Sequence, residues 1–111
     1  LIDWLNPLSG ESILEFGFGT AQNLILLKGR KPEVLVRGVD IDPKIKSIAE
    51  YKLRKHNLEV PLHLYDGNTL PFADNSFDKV FSSLVFHQLN ADTKLHCLRE
   101  LHRVLKPKGK L

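Results

Sequence analysis

The feature that most restricts this chain is a short apolar run that passes directly into two closely spaced glycines, Ile13-Leu14-Glu15-Phe16-Gly17-Phe18-Gly19. The run has the pattern of a strand, and the glycines permit a sharp turn and close backbone approach. The next segment, Ala21 to Leu27, reads as a helix that Lys28-Gly29-Arg30-Lys31-Pro32 brings to an end. The same unit then recurs. Val34 to Val39 is rich in β-branched residues, as a buried parallel strand should be. Asp42 followed by Pro43 marks a helix start, an N-cap carboxylate with proline at the first helical position. Ile45, Ile48, Ala49 and Leu53 form the face expected to be buried, and Lys44, Lys46, Lys52, Arg54 and Lys55 read as a solvated face.

A third strand is expected at Leu62 to Tyr65, and Asp66-Gly67-Asn68 turns the chain out of it. After the loop Leu70 to Asn75, Phe77 to Phe81 gives a fourth strand that ends at Ser82-Ser83. The last helix, Asp92 to Leu105, carries Leu95, Leu98, Leu101 and Leu105, and Lys106-Pro107-Lys108-Gly109 stops it. This order predicts an α/β fold, a Rossmann-like three-layer sandwich in which right-handed crossovers cover both faces of a parallel sheet. With 111 residues there is room for one core, so residues 1–111 are expected to form one domain or part of one. The chain opens at Leu1, contains no methionine and stops as a new apolar run begins, from which we expect it to be part of a longer protein.

Composition narrows the function classes. No apolar run approaches the roughly 18 residues that span a bilayer, and no secretory signal is present, so no membrane partner is expected. The single cysteine, Cys97, excludes an internal disulfide and a multi-thiolate metal site, and points to a reducing, cytoplasmic setting. His56, His63, His96 and His102 show no ligand spacing with nearby carboxylates, and no metal is expected. A net charge of +3 is too small to indicate nucleic acid, which is not an expected partner.

In an open parallel sheet, ligands bind outside the carboxyl ends of the strands. Here those ends carry Glu15, Gly17 and Gly19, then Asp40 and Asp42, then Asp66 and Gly67, then Ser82 and Ser83. Position 22 is Gln, so the three-glycine spacing of a dinucleotide pyrophosphate loop is not met. Asp40 stands about twenty residues beyond the turn, where a carboxylate accepts hydrogen bonds from ribose hydroxyls. Glu15 beside the turn would repel a pyrophosphate and suit a cationic centre, which favours S-adenosylmethionine over NAD. Asp66 can accept from an adenine amine, or can simply make a turn, and Ile41 can pack on the purine.

These residues resemble the class I S-adenosylmethionine-dependent methyltransferases, most closely the small-molecule type that includes quinone C-methylases. "ILEFGFGTAQNL" is similar to the family's first motif, which implies that Glu15, Gly17 and Gly19 surround the methionine portion of the cofactor. "VRGVDIDP" resembles the second, with Asp40 as the ribose acid and Ile41 as the adenine-packing residue. "LYDGNTLPFADNSFDKVFSSLVFHQL" resembles the segment in which Asp66 and Gly67 meet the adenine, Leu70-Pro71-Phe72 is a structural signature, and Ser83 follows strand four. "LRELHRVLKPKGKL" is similar to the following helix and turn, with Arg99, Glu100, Arg103 and Pro107 at familiar places. Ala21 stands where a third glycine is common, and Lys108 replaces a usual glycine. The family's sheet has seven strands, so the resemblance implies a sheet truncated before strands five to seven, with strand four at an exposed edge.

The resemblance implies methyl transfer from S-adenosylmethionine to a small-molecule methyl acceptor, an in-line displacement in which the protein aligns the reactants and excludes water. His87 is the candidate base, or alternatively a structural hydrogen-bonding residue at a helix start; Gln88 stands where a second histidine often follows. Trp4 and Phe18 are candidates for stacking on the acceptor, with core packing the favoured role for Trp4. The absence of an Asn/Asp-Pro-Pro-aromatic pattern after strand four argues against nucleobase methylation. An NAD-binding oxidoreductase and a non-catalytic interaction module are the alternatives, and a homo-oligomer is compatible with each reading.

Overall fold

The computed structural model describes residues 6–82 and 91–110. Trp4, Ser83 and His87 lie outside these described residues. The elements follow in the order β1 (Ser12–Phe16), α1 (Gln22–Arg30), β2 (Leu35–Asp40), α2 (Pro43–Lys55), β3 (Leu62–Leu64), β4 (Phe77–Ser82), α3 (Ala91–Val104) and β5 (Leu105–Lys110). All pairings are parallel, in the spatial order β3-β2-β1-β4-β5. The chain therefore runs from β1 to one edge and then crosses back to β4, which creates a switch point beside β1.

Alternation along β1 sends its side chains to two cores. Ile13 joins Phe18, Leu24 and Leu27 of the α1 region and Ala49 and Leu53 of α2, together with Val36 and Phe81. Leu14 and Phe16 join Val39, Tyr65, Leu70 and Val80 beneath Cys97, Leu101 and Val104 of α3. Helices thus cover both faces, as the expected three-layer sandwich requires. The turn into α1 rests on backbone geometry that glycine favours. Gly17 has φ 80° and Gly19 φ 55°, and the Gly17 amide donates to the Val39 carbonyl at 2.7 Å. Ala21, in the place of the third glycine, is fully buried at φ 69°, a conformation that costs a side-chain-bearing residue about 1–2 kcal/mol.

The sheet does not end at β4. β5 pairs along the free side of β4, from Phe77 opposite Leu105 to Lys79 opposite Lys110, with an irregularity between. The expected open edge at strand four is therefore corrected. Lys106-Pro107-Lys108-Gly109 has the composition of a helix stop, and it stops α3 by passing straight into a strand. Pro107 is tolerated because an edge strand can spare an N–H. The junction is fixed from outside itself: Asn75 and Ser76 donate their amides to the Arg103 and Val104 carbonyls at 3.0 and 2.7 Å. Asp78 accepts from the Ser12 amide at 2.8 Å and pairs with Lys106 at 3.1 Å, which ties the first turns of β1, β4 and β5 together.

Two helix faces differ from the expected ones. α3 buries Cys97, Leu101 and Val104, whereas Leu95 and Leu98 are exposed and Leu105 belongs to the strand. On α2, Ala49 and Leu53 are buried as expected, but Ile48 is half exposed.

α3 also holds the loop that follows β3. Arg103 donates to the carbonyls of Leu70 and Phe72 at 3.0 and 2.9 Å and to Asp74 at 2.8 Å, while pairing with Glu100 at 3.0 Å. Glu100 in turn accepts from the Leu70 amide at 2.7 Å. The guanidinium, with the Leu70 amide, holds the Glu100 carboxyl below its ordinary value, and the two partner carboxylates raise Arg103. Phe72 completes the anchorage, edge-on to His63 and Phe77 with ring centroids 4.9 and 5.0 Å away.

Two consequences are measurable. A Cβ on Gly38 would stand 2.7 Å from Phe18, 3.0 Å from Leu62 and 3.2 Å from Leu24. Gly38→Ala should lower stability in denaturant unfolding by about 1–3 kcal/mol through overpacking. Because the folded state depresses the Glu100 carboxyl, its contribution is present above the unfolded value near 4.5 and is lost as pH falls through the lower folded value. The acid limb of the stability curve should therefore be shallower in Glu100→Gln, and an unchanged limb would show that the clamp does not act through this charge.

Candidate functional site

The carboxyl ends of β1, β2 and β3 meet α3 around a cleft of about 170 Å³ lined by Phe16, Gly17, Asp40, Ile41, Tyr65, Gly67, Thr93 and Cys97. Complete ligand sites typically enclose ~300–1,000 Å³, so this cleft accounts for part of a ligand. Among the described residues its lining has one carboxylate, no cation and a largely apolar surface.

Asp40 is half-buried at the last position of β2. One carboxylate oxygen accepts from the Gly19 amide at 3.2 Å, and the other accepts from its own neighbours' amides, Ile41 at 2.7 Å and Asp42 at 3.3 Å. The carboxylate thus links the glycine turn to the end of β2, and the oxygen that takes the Gly19 amide keeps a lone pair for a hydroxyl ligand. Ile41 is 64% exposed at the cleft mouth. At Gly19 and Gly67, both with positive φ, the position of a Cβ has no atom within 4 Å, so the backbone there fronts open space. Asp42 fills the cap role its neighbour Pro43 predicts, accepting from the Lys44 amide at 2.9 Å.

The expected anionic rim is only partly assembled. Glu15 is fully buried, one residue before the turn, and accepts from the Asn23 side-chain amide of α1 at 3.1 Å. It lies behind Gly17 and does not line the cleft. Asp66 stands next to the lining residue Gly67, but its Oδ1 accepts from the amides of Asn68 and Thr69 at 2.8 and 2.9 Å. These amides, Thr69 first, hold its carboxyl below the usual range and make the turn that was its alternative reading. Phe18 is buried in the α1 core, which removes it as a stacking surface for an acceptor.

Sequence reasoning missed Tyr65, Thr93 and Cys97 as cleft walls. Tyr65 packs edge-on to Phe16 at 5.6 Å, and its hydroxyl is 3.9 Å from the Cys97 thiol. Burial, then the neighbouring thiol, pushes the Tyr65 hydroxyl above its ordinary value, so it stays protonated at neutral pH. One signal was available: Thr93 and Cys97 are four apart, on one face of a helix that follows a strand end.

Comparison with known proteins adds to this geometry. Residues 14–111 match the family described as "Methyltransferase domain". The chain is 32% identical over 111 residues to a demethylmenaquinone methyltransferase of Thermotoga maritima, covering all of this chain and 46% of that protein. It is 37% identical over 99 residues to the Thermus thermophilus protein of the same name, covering 89% of this chain and 44% of that one. The chain thus spans about half the length of the curated relatives it matches. Among solved structures, a SAM dependent methyltransferase from Aquifex aeolicus superposes with a TM-score of 0.84 at 28% identity, covering 96% of this chain and 56% of that one. With the parallel sheet, its switch point and the glycine turn joined to an acid at the end of β2, this match over nearly the whole chain shows that the protein belongs to the methyltransferase-domain family.

Proposed function

We propose that residues 1–111 form a domain that binds S-adenosylmethionine and that the protein to which they belong methylates a small organic molecule of the quinone class. The observation that carries the reading is the cleft's chemistry: among the described residues, an apolar lining with one carboxylate and no cation at the carboxyl edge of the sheet. A dinucleotide would bring a pyrophosphate to a lining that offers it no positive charge, whereas an adenosine needs a ribose acceptor and an apolar bed for the base. Asp40 would hold the ribose, Ile41 would cover the base, Gly17 would line the cleft, and the open backbone at Gly19 and Gly67 would admit the ligand closely. Glu15 would favour the cationic methionine end from beneath the turn, and Asp66 would stand at the base edge beside Gly67. Ser83 and His87 are carried into the proposal as a further cofactor contact and the candidate base.

When bound, S-adenosylmethionine supplies a methyl group already activated by its sulfonium. The chain's own task is then alignment and exclusion of water, and Arg103 with Glu100 serves it by fixing the loop after Gly67. The quinone assignment follows the names of the relatives, which are demethylmenaquinone methyltransferases. A reducing, cytoplasmic setting belongs to the same reading, with Cys97 free and buried.

Isothermal titration should give a saturable signal with S-adenosylmethionine and none with NAD, and the reverse pattern would overturn the reading. Asp40→Asn, which keeps the side chain's shape and removes its charge, should weaken cofactor binding about ten- to a hundredfold, as expected for a hydrogen bond to a charged group. Methyl incorporation from labelled cofactor by the full-length protein should appear with a demethylated quinone, and incorporation into RNA or a simple amine instead would displace the acceptor assignment.

A further inference from the structure

We infer that α2 and the rim beside it dock on an anionic lipid surface. α2 carries Lys44, Lys46, Lys52, Arg54 and Lys55 against Glu50 alone, five basic minus one acidic, or +4, in a chain whose whole formal charge is +3. Glu50 is engaged by Lys46 at 3.0 Å. Lys44, Ile48, Tyr51 and Lys55 follow one another at helical spacing and are all exposed, with Lys52 half-buried at the side of the stripe. Ile48 and Tyr51 are 50% and 56% exposed, and Lys55 Nζ lies 5.3 Å from the centre of the Tyr51 ring. The apolar part continues to the sheet. Leu64 alternates with His63, so it shares the face of Leu62, which packs against the α1 and α2 core, yet it remains exposed.

Helix energetics explain only some of this pattern. Lys52, Arg54 and Lys55 in the last turn complement the helix dipole. Lys44 in the first turn opposes it, offset by the Asp42 carboxylate that caps the helix through the Lys44 amide. Nor does solubility call for large apolar side chains between the lysines. Alternating cations and apolar bodies suit a bilayer interface, where Ile, Leu and the Tyr ring enter the acyl boundary while ammonium groups reach lipid phosphates. Exposed aliphatic side chains have no comparable role against a nucleic-acid backbone.

The surface lies on a membrane and does not cross it: among the described residues no helix is long and apolar enough to span one. Asp40 and Ile41 stand just before Asp42, the N-cap of α2, so docking sets the cleft mouth beside the interface, where a lipid-soluble acceptor is concentrated. That last consequence rests on the proposed quinone acceptor, whereas the docking itself does not.

Vesicle flotation with the full-length protein tests it. The protein should float with mixed phosphatidylcholine and phosphatidylglycerol vesicles, bind pure phosphatidylcholine weakly and be released by salt. The triple variant Lys44→Gln, Lys52→Gln, Lys55→Gln should lose on the order of 100-fold in partitioning at low salt. Ile48→Ser with Tyr51→Ser should lose about tenfold or more with every charge retained. Both variants should keep the wild-type melting temperature and affinity for S-adenosylmethionine, which separates failure of docking from failure of the cofactor reading. No binding to the mixed vesicles, equal binding to both compositions, flotation of the triple variant like wild type, or tighter binding to RNA in a competition would each overturn the proposal.

Discussion

The rim of this sheet depends on main-chain amides that find acceptors at the end of β2. Gly17 donates to the Val39 carbonyl and Gly19 to the Asp40 carboxylate, so the turn leaving β1 is anchored to its neighbour strand before α1 begins. A buried backbone amide without an acceptor is costly, and here the acceptors also fix where the cleft opens. Gly17 and Gly19 can adopt the required left-handed backbone; Ala21 adopts it as well and has no side-chain oxygen with which to cap the helix it starts. Asp40 thus links fold to chemistry: it shapes the turn with some of its lone pairs and offers the remainder to the cleft.

Local signals made most of the scaffold legible. β1, β2 and β4 fall within a residue or so of the runs that predicted them, and Asp42-Pro43 starts α2 with the expected cap. What the sequence could not reveal depends on packing between distant segments. β5 was hidden because Lys106-Pro107-Lys108-Gly109 has a loop's composition, and its pairing is imposed by Asp78 and by amides of residues 75 and 76. The outward position of Ile48, Leu95 and Leu98 has the same origin, since helical periodicity defines a stripe but not which part of it meets the sheet.

The candidate site divides in the same way. Asp40, Ile41, Gly17 and Gly67 were recognisable because each lies at or just beyond the carboxyl end of a strand, and strand ends define the rim. Tyr65 and Cys97 were not, because the wall they form exists only where α3 lies on the second core. Glu15 was found in sequence but misplaced in depth. The alternation that sends Leu14 and Phe16 to one core sends Glu15 to the other, under α1, and no motif reports that burial.

The depth of Glu15 bears on why this fold would take a sulfonium nucleoside here and not a dinucleotide. A pyrophosphate is held elsewhere by the unpaired amides and partial positive charge at a helix N-terminus. In this protein the carboxyl group of Glu15 is buried and joined to Asn23, in the first turn of that helix, through a 3.1 Å hydrogen bond. The donor is the Asn23 side chain and not a main-chain amide, so the effect on a phosphate is electrostatic: an ionised carboxylate placed here would disfavour it and favour a cation. In the proposed reading, this one buried side chain biases the helix start towards a cationic adenosine-bearing cofactor and against a pyrophosphate. That proposed bias does not require Glu15 to line the cleft, because an ionised carboxylate acts over distances that a hydrogen bond cannot cover.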